Sequence, residues 1–137
     1  MSDSLTIDLK DLRSSDGPFV GGKNANLGEL LNANIPVPDG FAITTLAYQR
    51  LILNTDIKTE IVDLLTELDI NDFDLLTSTS QKIRTLIENI TLPENLKSEI
   101  FSSYNSLGND VEVAVRSSAT AEDLPSASFA GQMDSFL

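Results

Sequence analysis

A pair of glycines followed by a lysine is the first place in this sequence where phosphate chemistry could occur. Residues 17–24 read GPFVGGKN and precede a stretch with helical spacing. Backbone N–H groups of a glycine-rich turn at a helix N-terminus attract phosphate, and Lys23 adds a full charge. The spacing approaches a P-loop, but Asn24 stands where that motif needs a hydroxyl for magnesium. A plain glycine turn with a solvated lysine is the open alternative.

The second candidate is Arg116, which directly follows the alternating segment VEVAV at residues 111–115. An arginine at the end of a strand is fixed at its root and can present a planar fork to phosphate oxygens. Ser117 and the hydroxyls beside it could add hydrogen bonds, but no histidine is present to activate a serine nucleophile. The alternative is an ion pair between Arg116 and Glu122 or Asp123 that only holds the loop.

Composition excludes several classes of protein. The chain has 137 residues, no cysteine, no histidine and a net charge of −12. Disulfides, thiolate sites, histidine–zinc sites and a phosphohistidine within the chain are therefore excluded. The negative charge argues against nucleic-acid or anionic-membrane partners, and no apolar run approaches the ~18 residues of a membrane span. The N-terminus lacks the layout of a secretory signal, so a cytoplasmic location is predicted.

The spacing of apolar residues predicts an α+β fold, with a mixed sheet flanked by helices drawn largely from residues 45–107. The acidic residues from Asp56 to Asp74 are expected on the solvated side of these helices. Residues 14–18 read as a turn, and Thr44 or Thr45 is expected to cap a helix. Strands are predicted at 4–9, 41–44 and 111–115, and helices at 23–32, 45–53 and within 57–107.

Four strings in order resemble the pyruvate-phosphate dikinase superfamily. They are VGGKNANLGEL at 20–30, IPVPDGFAITT at 35–45, VRSSATAEDLP at 115–125 and ASFAGQ at 127–132. The last two are similar to the phosphoenolpyruvate synthase (pyruvate, water dikinase) branch and to its relative rifampicin phosphotransferase. The resemblance spans almost the whole chain, and the helical middle matches in pattern only. Residues 1–137 would thus form the N-terminal portion of the ATP-binding domain.

The resemblance implies a partial ATP-grasp domain in which Lys23 and Arg116 contact the phosphates of ATP. Gly131 and Ser135 match positions near the nucleotide, with Ser135 in place of a more usual threonine. No residue here matches a metal ligand, so Mg²⁺ would be bound by residues outside this chain. In such enzymes ATP phosphorylates a histidine on another domain, and that domain carries the phosphoryl group to pyruvate, or to rifampicin in the relative.

Three expectations follow for the chain itself. It looks truncated, so it is expected to bind ATP weakly or not at all and to have no turnover alone. An incomplete sheet would leave an exposed edge near residues 129–137, through which copies could self-associate. The alternatives are the ATP-binding part of a rifampicin phosphotransferase and a stand-alone, non-catalytic binding or regulatory module.

Overall fold

The computed structural model describes residues 3–53 and 56–120, and the strand residues 123–124, 127–128 and 135–136. The chain divides into two units. Unit 1 comprises Met1–Ala47 and Asn95–Leu137, and unit 2 comprises Tyr48–Glu94. Helices and short strands occur together, which confirms the α+β class.

The helices and strands follow one another along the chain as follows. The helices are α1 (Gly17–Val20), α2 (Gly22–Asn32), α3 (Thr45–Leu53), α4 (Ile57–Thr66), α5 (Phe73–Glu88) and α6 (Glu94–Leu107). The strands are β1 (Thr6–Asp8), β2 (Phe41–Ile43), β3 (Val115–Arg116), β4 (Asp123–Leu124), β5 (Ala127–Ser128) and β6 (Ser135–Phe136).

Strand pairing differs from the prediction of one mixed sheet. In the described residues every pair is antiparallel: β1 with β2, β3 with β6 and β4 with β5. The predicted strand at 111–115 is also shorter than expected, because only Val115 of that segment belongs to a strand. Alternation decides which face a side chain occupies, but a strand forms only where a neighbour supplies hydrogen bonds. Among the described residues, that neighbour is the two-residue strand β6.

Unit 1 contains two apolar clusters, one that includes Ala25 of α2 with Ala42 of β2 and one that includes Leu96 of α6. Each cluster is built from leucines and small residues whose burial removes apolar surface from water. The first comprises Leu9, Leu12, Val20, Ala25 and Ala42. The second comprises Leu5, Ala47 and Leu96.

Polar contacts fix the ends of these elements. Thr44 Oγ1 accepts a hydrogen bond from the Ala47 amide at 3.3 Å, which confirms the predicted cap at the start of α3. Glu99 Oε2 on α6 accepts from the Leu5 amide at 2.9 Å. Helix α6 is thereby joined to the segment that leads into β1.

Unit 2 consists mainly of α4, α5 and their connection. The acidic residues of the 56–74 region are all exposed, as the sequence predicted. Asp72 caps α5, because its side chain accepts a hydrogen bond from the Leu75 amide at 2.9 Å. A groove of about 620 Å³ between α4 and α5 is lined by residues of this unit only. It contains none of the residues that the sequence assigned to phosphate binding.

Candidate phosphate-binding site

The segment before Lys23 is helical and does not form the predicted glycine turn. Residues 17–20 form the helical turn α1, with Pro18 in its first turn, where a missing N–H costs no hydrogen bond. Gly21 then adopts φ +80°, which separates α1 from α2. Asn24 Nδ2 donates to the Val20 carbonyl at 2.8 Å and so closes the end of α1. The P-loop interpretation is therefore wrong for this segment.

The first turn of α2 contacts the loop that follows β3. Lys23 Nζ donates to the Ser117 carbonyl at 3.4 Å. The Gly22 amide donates to the Ala119 carbonyl at 3.3 Å. Lys23 and Ser117 are 94 residues apart in sequence. The fold therefore brings together two motifs that are distant in the chain.

Gly21 allows this approach because it has no side chain. A Cβ atom at Gly21 would lie 2.7 Å from the carbonyl carbon of Ser118, closer than real Cβ contacts. Its positive φ is also a conformation that residues with side chains rarely adopt. Gly21 therefore serves close backbone packing with the 117–119 loop, whereas its glycine-rich sequence alone predicts contact with a phosphate.

Arg116 lies at the end of β3 and is exposed. Its backbone is the register partner of Ser135 on β6. Pairing with β6 anchors the root of the arginine, as expected for a residue that presents its guanidinium from a strand end. Ser135 thus has a defined backbone position beside Arg116.

Other predicted contacts fall outside the described residues. Gly131 and Glu122 belong to that part of the chain, and so does the side chain of Asp123. The alternative in which Arg116 pairs with Glu122 or Asp123 accordingly stays open. Of the four predicted nucleotide-binding residues, Lys23 contacts the residue that follows Arg116, and Arg116 pairs through its backbone with Ser135.

The chemistry of this junction differs from that of a free helix N-terminus. Two α2 amides, those of Gly22 and Asn24, donate to the 117–119 loop and are not directed at a ligand. The positively charged side chains of Lys23 and Arg116 remain as the groups suited to phosphate. The hydrogen bond from Lys23 Nζ to the Ser117 carbonyl is long, at 3.4 Å.

Several residues of the 20–30 motif anchor α2, a role that sequence reasoning missed. A Cβ at Gly28 would lie 2.9 Å from the carbonyl carbon of Leu12, so the helix packs directly on that backbone. Glu29 Oε1 accepts from the Ser14 amide at 2.6 Å. Asn32 Nδ2, just beyond the motif, donates to the Leu12 carbonyl at 3.1 Å. A glycine in a helix interior was the one available signal, because it is unfavourable there without a packing reason.

The described part of the chain contains no group of three acidic residues, histidines or cysteines placed to hold a metal ion. Within the same residues, no helix combines the length and apolar character needed to cross a membrane.

Comparison with known proteins identifies the family of this chain. Residues 17–137 match the family described as pyruvate phosphate dikinase, AMP/ATP-binding domain. The chain is 51% identical over 134 residues to a probable phosphoenolpyruvate synthase of Methanocaldococcus jannaschii, covering 94% of this chain and 11% of that protein. A probable phosphoenolpyruvate synthase of Archaeoglobus fulgidus is 50% identical over 133 residues, covering 94% and 18%. The phosphoenolpyruvate synthase of Helicobacter pylori is 45% identical over 138 residues, covering 94% and 17%.

The class of protein is therefore a nucleotide-binding domain. The chain has an α+β fold, and the segments that carry Lys23 and Arg116 contact each other. The chain belongs to the pyruvate phosphate dikinase AMP/ATP-binding domain family. It spans less than a fifth of the length of the three relatives above. These relatives are phosphoenolpyruvate synthases, and they give no support to the rifampicin phosphotransferase alternative.

Proposed function

We propose that this chain supplies the first part of the ATP-binding domain of a phosphoenolpyruvate synthase. In this proposal Lys23 and Arg116 bind the phosphates of ATP, and Gly131 and Ser135 lie near the nucleotide. The observation that carries the proposal is the hydrogen bond from Lys23 Nζ to Ser117, the residue that follows Arg116. This contact joins the segments that carry Lys23 and Arg116, in a chain whose net charge is −12.

The remaining steps are assigned to other parts of the full-length protein. ATP would phosphorylate a histidine on a separate domain, because this chain contains none. Pyruvate would accept the phosphoryl group at a third site, and the relative from Helicobacter pylori is named as a phosphoenolpyruvate synthase. The domain would have the ATP-grasp fold, residues 1–137 would be its N-terminal portion, and Mg²⁺ would be held by ligands beyond them. A cytoplasmic location is part of the same proposal.

The residues present suit the ATP phosphates better than they suit the metal. A phosphate needs a few cationic donors with hydrogen-bonding reach, which a lysine and an arginine provide. Phosphoryl transfer also requires metal and cationic groups around the transferred phosphate. Lys23 and Arg116 are the cationic members of that set in this proposal.

Replacement of Lys23 tests the proposal. In the full-length protein, Lys23→Ala is expected to raise the Kd for Mg-ATP by about 10- to 100-fold, because a charge-assisted hydrogen bond to phosphate is lost. Calorimetric titration measures this change. Lys58→Ala is the matched control, since it removes one exposed lysine of α4 and the same charge. Equal Kd values for both variants would remove Lys23 from the site.

A further inference from the structure

Ser118 lies at the closest approach between α2 and the loop after β3. Its Oγ accepts a hydrogen bond from the Asn24 amide at 3.4 Å. Its backbone lies against Gly21, where a Cβ atom would be 2.7 Å from the Ser118 carbonyl carbon. The residue is half-buried, and the neighbours Ser117 and Ala119 both accept hydrogen bonds from α2 through their carbonyls.

These contacts give Ser118 a different role from the one its motif suggested. A hydroxyl beside Arg116 could bind a phosphate directly, but this hydroxyl is directed at a backbone amide of the first α2 turn. The amide belongs to Asn24, next to Lys23 in the chain, and Ser118 lies two residues after Arg116. One side chain therefore links the two segments that carry the cations.

We propose that Ser118 is a positioning residue that sets the separation of Lys23 and Arg116 by capping the first turn of α2. The inference rests on the proposed function for its effect on ATP. The cap itself is independent of nucleotide. Gly21 provides the room for the contact, and the Ser118 hydroxyl provides the acceptor. Each bond at this junction is 3.3 to 3.4 Å long, so none of them alone would hold the loop.

Loss of the Ser118 hydroxyl would change the spacing of Lys23 and Arg116 and would leave the charge of the site unchanged. Without the Ser118 hydroxyl the Asn24 amide loses its acceptor, and the loop can move relative to Lys23. Both cations remain present, but they are no longer spaced for the same phosphates. Binding of ATP should therefore weaken by less than when a cation is removed, because the net loss is that of one neutral hydrogen bond.

The test compares three variants in the full-length protein. Ser118→Ala is expected to raise the KM for ATP by about 3- to 10-fold while kcat changes by less than about 2-fold. Ser118→Thr keeps the hydroxyl and is expected to restore the KM. Ser98→Ala, an exposed serine of α6, is the control for loss of a hydroxyl elsewhere. An unchanged KM in Ser118→Ala, or a raised KM that Ser118→Thr fails to restore, overturns the inference.

A second measurement needs no nucleotide. Hydrogen exchange of the Asn24 amide should be about 3- to 10-fold faster in Ser118→Ala than in the parent protein, and unaltered in Ser98→Ala. Equal exchange rates in Ser118→Ala and the parent overturn the inference even if ATP binds elsewhere. The proposed function fails separately, if Lys23→Ala and Arg116→Ala leave ATP binding unchanged. The two failures are thus distinguishable.

Discussion

Replacing Arg116 by alanine in the full-length protein should lower kcat/KM for ATP by about 100-fold or more, if the proposed function is correct. Arg116 ends β3 and is paired through its backbone with Ser135, so its guanidinium starts from an anchored position. A planar fork can bind two phosphate oxygens together, and this geometry stabilises charge that develops during phosphoryl transfer. Arg116 should therefore affect turnover as well as binding.

Two further variants sharpen that experiment. Arg116→Lys keeps the charge but loses the fork, so its kcat/KM should lie between those of the parent and Arg116→Ala. Arg84→Ala removes an exposed arginine of α5 in unit 2 and controls for the change in net charge. Steady-state kinetics at varied ATP concentration separate the two effects. If Arg116→Ala behaves like Arg84→Ala, Arg116 has no part in the reaction.

The second large effect is expected at Gly21. Gly21→Ala should lower the free energy of unfolding by about 3 kcal/mol, because it combines an unfavourable backbone conformation with overpacking. The glycine has φ +80°, and an added Cβ would press on the Ser118 backbone at 2.7 Å. The atoms that this Cβ would meet include the backbone carbonyl of Ser118. A backbone group cannot move away as cheaply as the end of a flexible side chain.

Gly17→Ala is the matched control for this substitution. Gly17 has φ −44° and ψ −43°, and no atom lies within 4 Å of the position of an added Cβ. Alanine there meets no neighbouring atom, and its cost is limited to the preference of a residue before Pro18 for extended conformations, so it should destabilise far less than Gly21→Ala. Urea unfolding curves measure both variants. Equal stabilities for the two would show that α2 and the 117–119 loop do not pack as described.

The parts of the fold that sequence predicted are those set by local spacing. Helix α2 begins at Gly22 and strand β2 at Phe41, each within a residue of the expected position. Thr44 caps α3 because a side-chain oxygen at that point satisfies an amide that the helix leaves unpaired. These outcomes depend on neighbours within a few residues, and the sequence contains that information directly.

The parts that sequence did not predict depend on distant neighbours. Residues 111–114 alternate like a strand, yet among the residues that the structure describes only Val115 and Arg116 of this stretch pair with another strand. Residues 17–20 contain glycine and proline but form a helical turn, which Asn24 closes by binding the Val20 carbonyl. The approach of Ser118 to Gly21 joins motifs almost a hundred residues apart, and no periodicity in the chain encodes it.

The candidate site follows the same division. The residue types of Lys23 and Arg116 indicate phosphate chemistry, and resemblance to a family assigns both to ATP. The contact between the segments that carry them, from Lys23 Nζ to the Ser117 carbonyl, is visible only in the fold. The glycine motif had suggested that backbone amides would hold the phosphate. The fold instead uses the amides of Gly22 and Asn24 to hold a loop, which leaves the binding role to side chains.

The most direct measurement is the structure of the full-length protein with Mg²⁺ and a non-hydrolysable ATP analogue. We predict that Lys23 Nζ and a guanidinium nitrogen of Arg116 lie about 3 Å from phosphate oxygens of one nucleotide. Lys23 should have exchanged the Ser117 carbonyl for phosphate, and the Ser118 hydroxyl should still cap the Asn24 amide. A nucleotide whose phosphates lie beyond hydrogen-bond reach of both cations, with Lys23 still on Ser117, would contradict the proposed site.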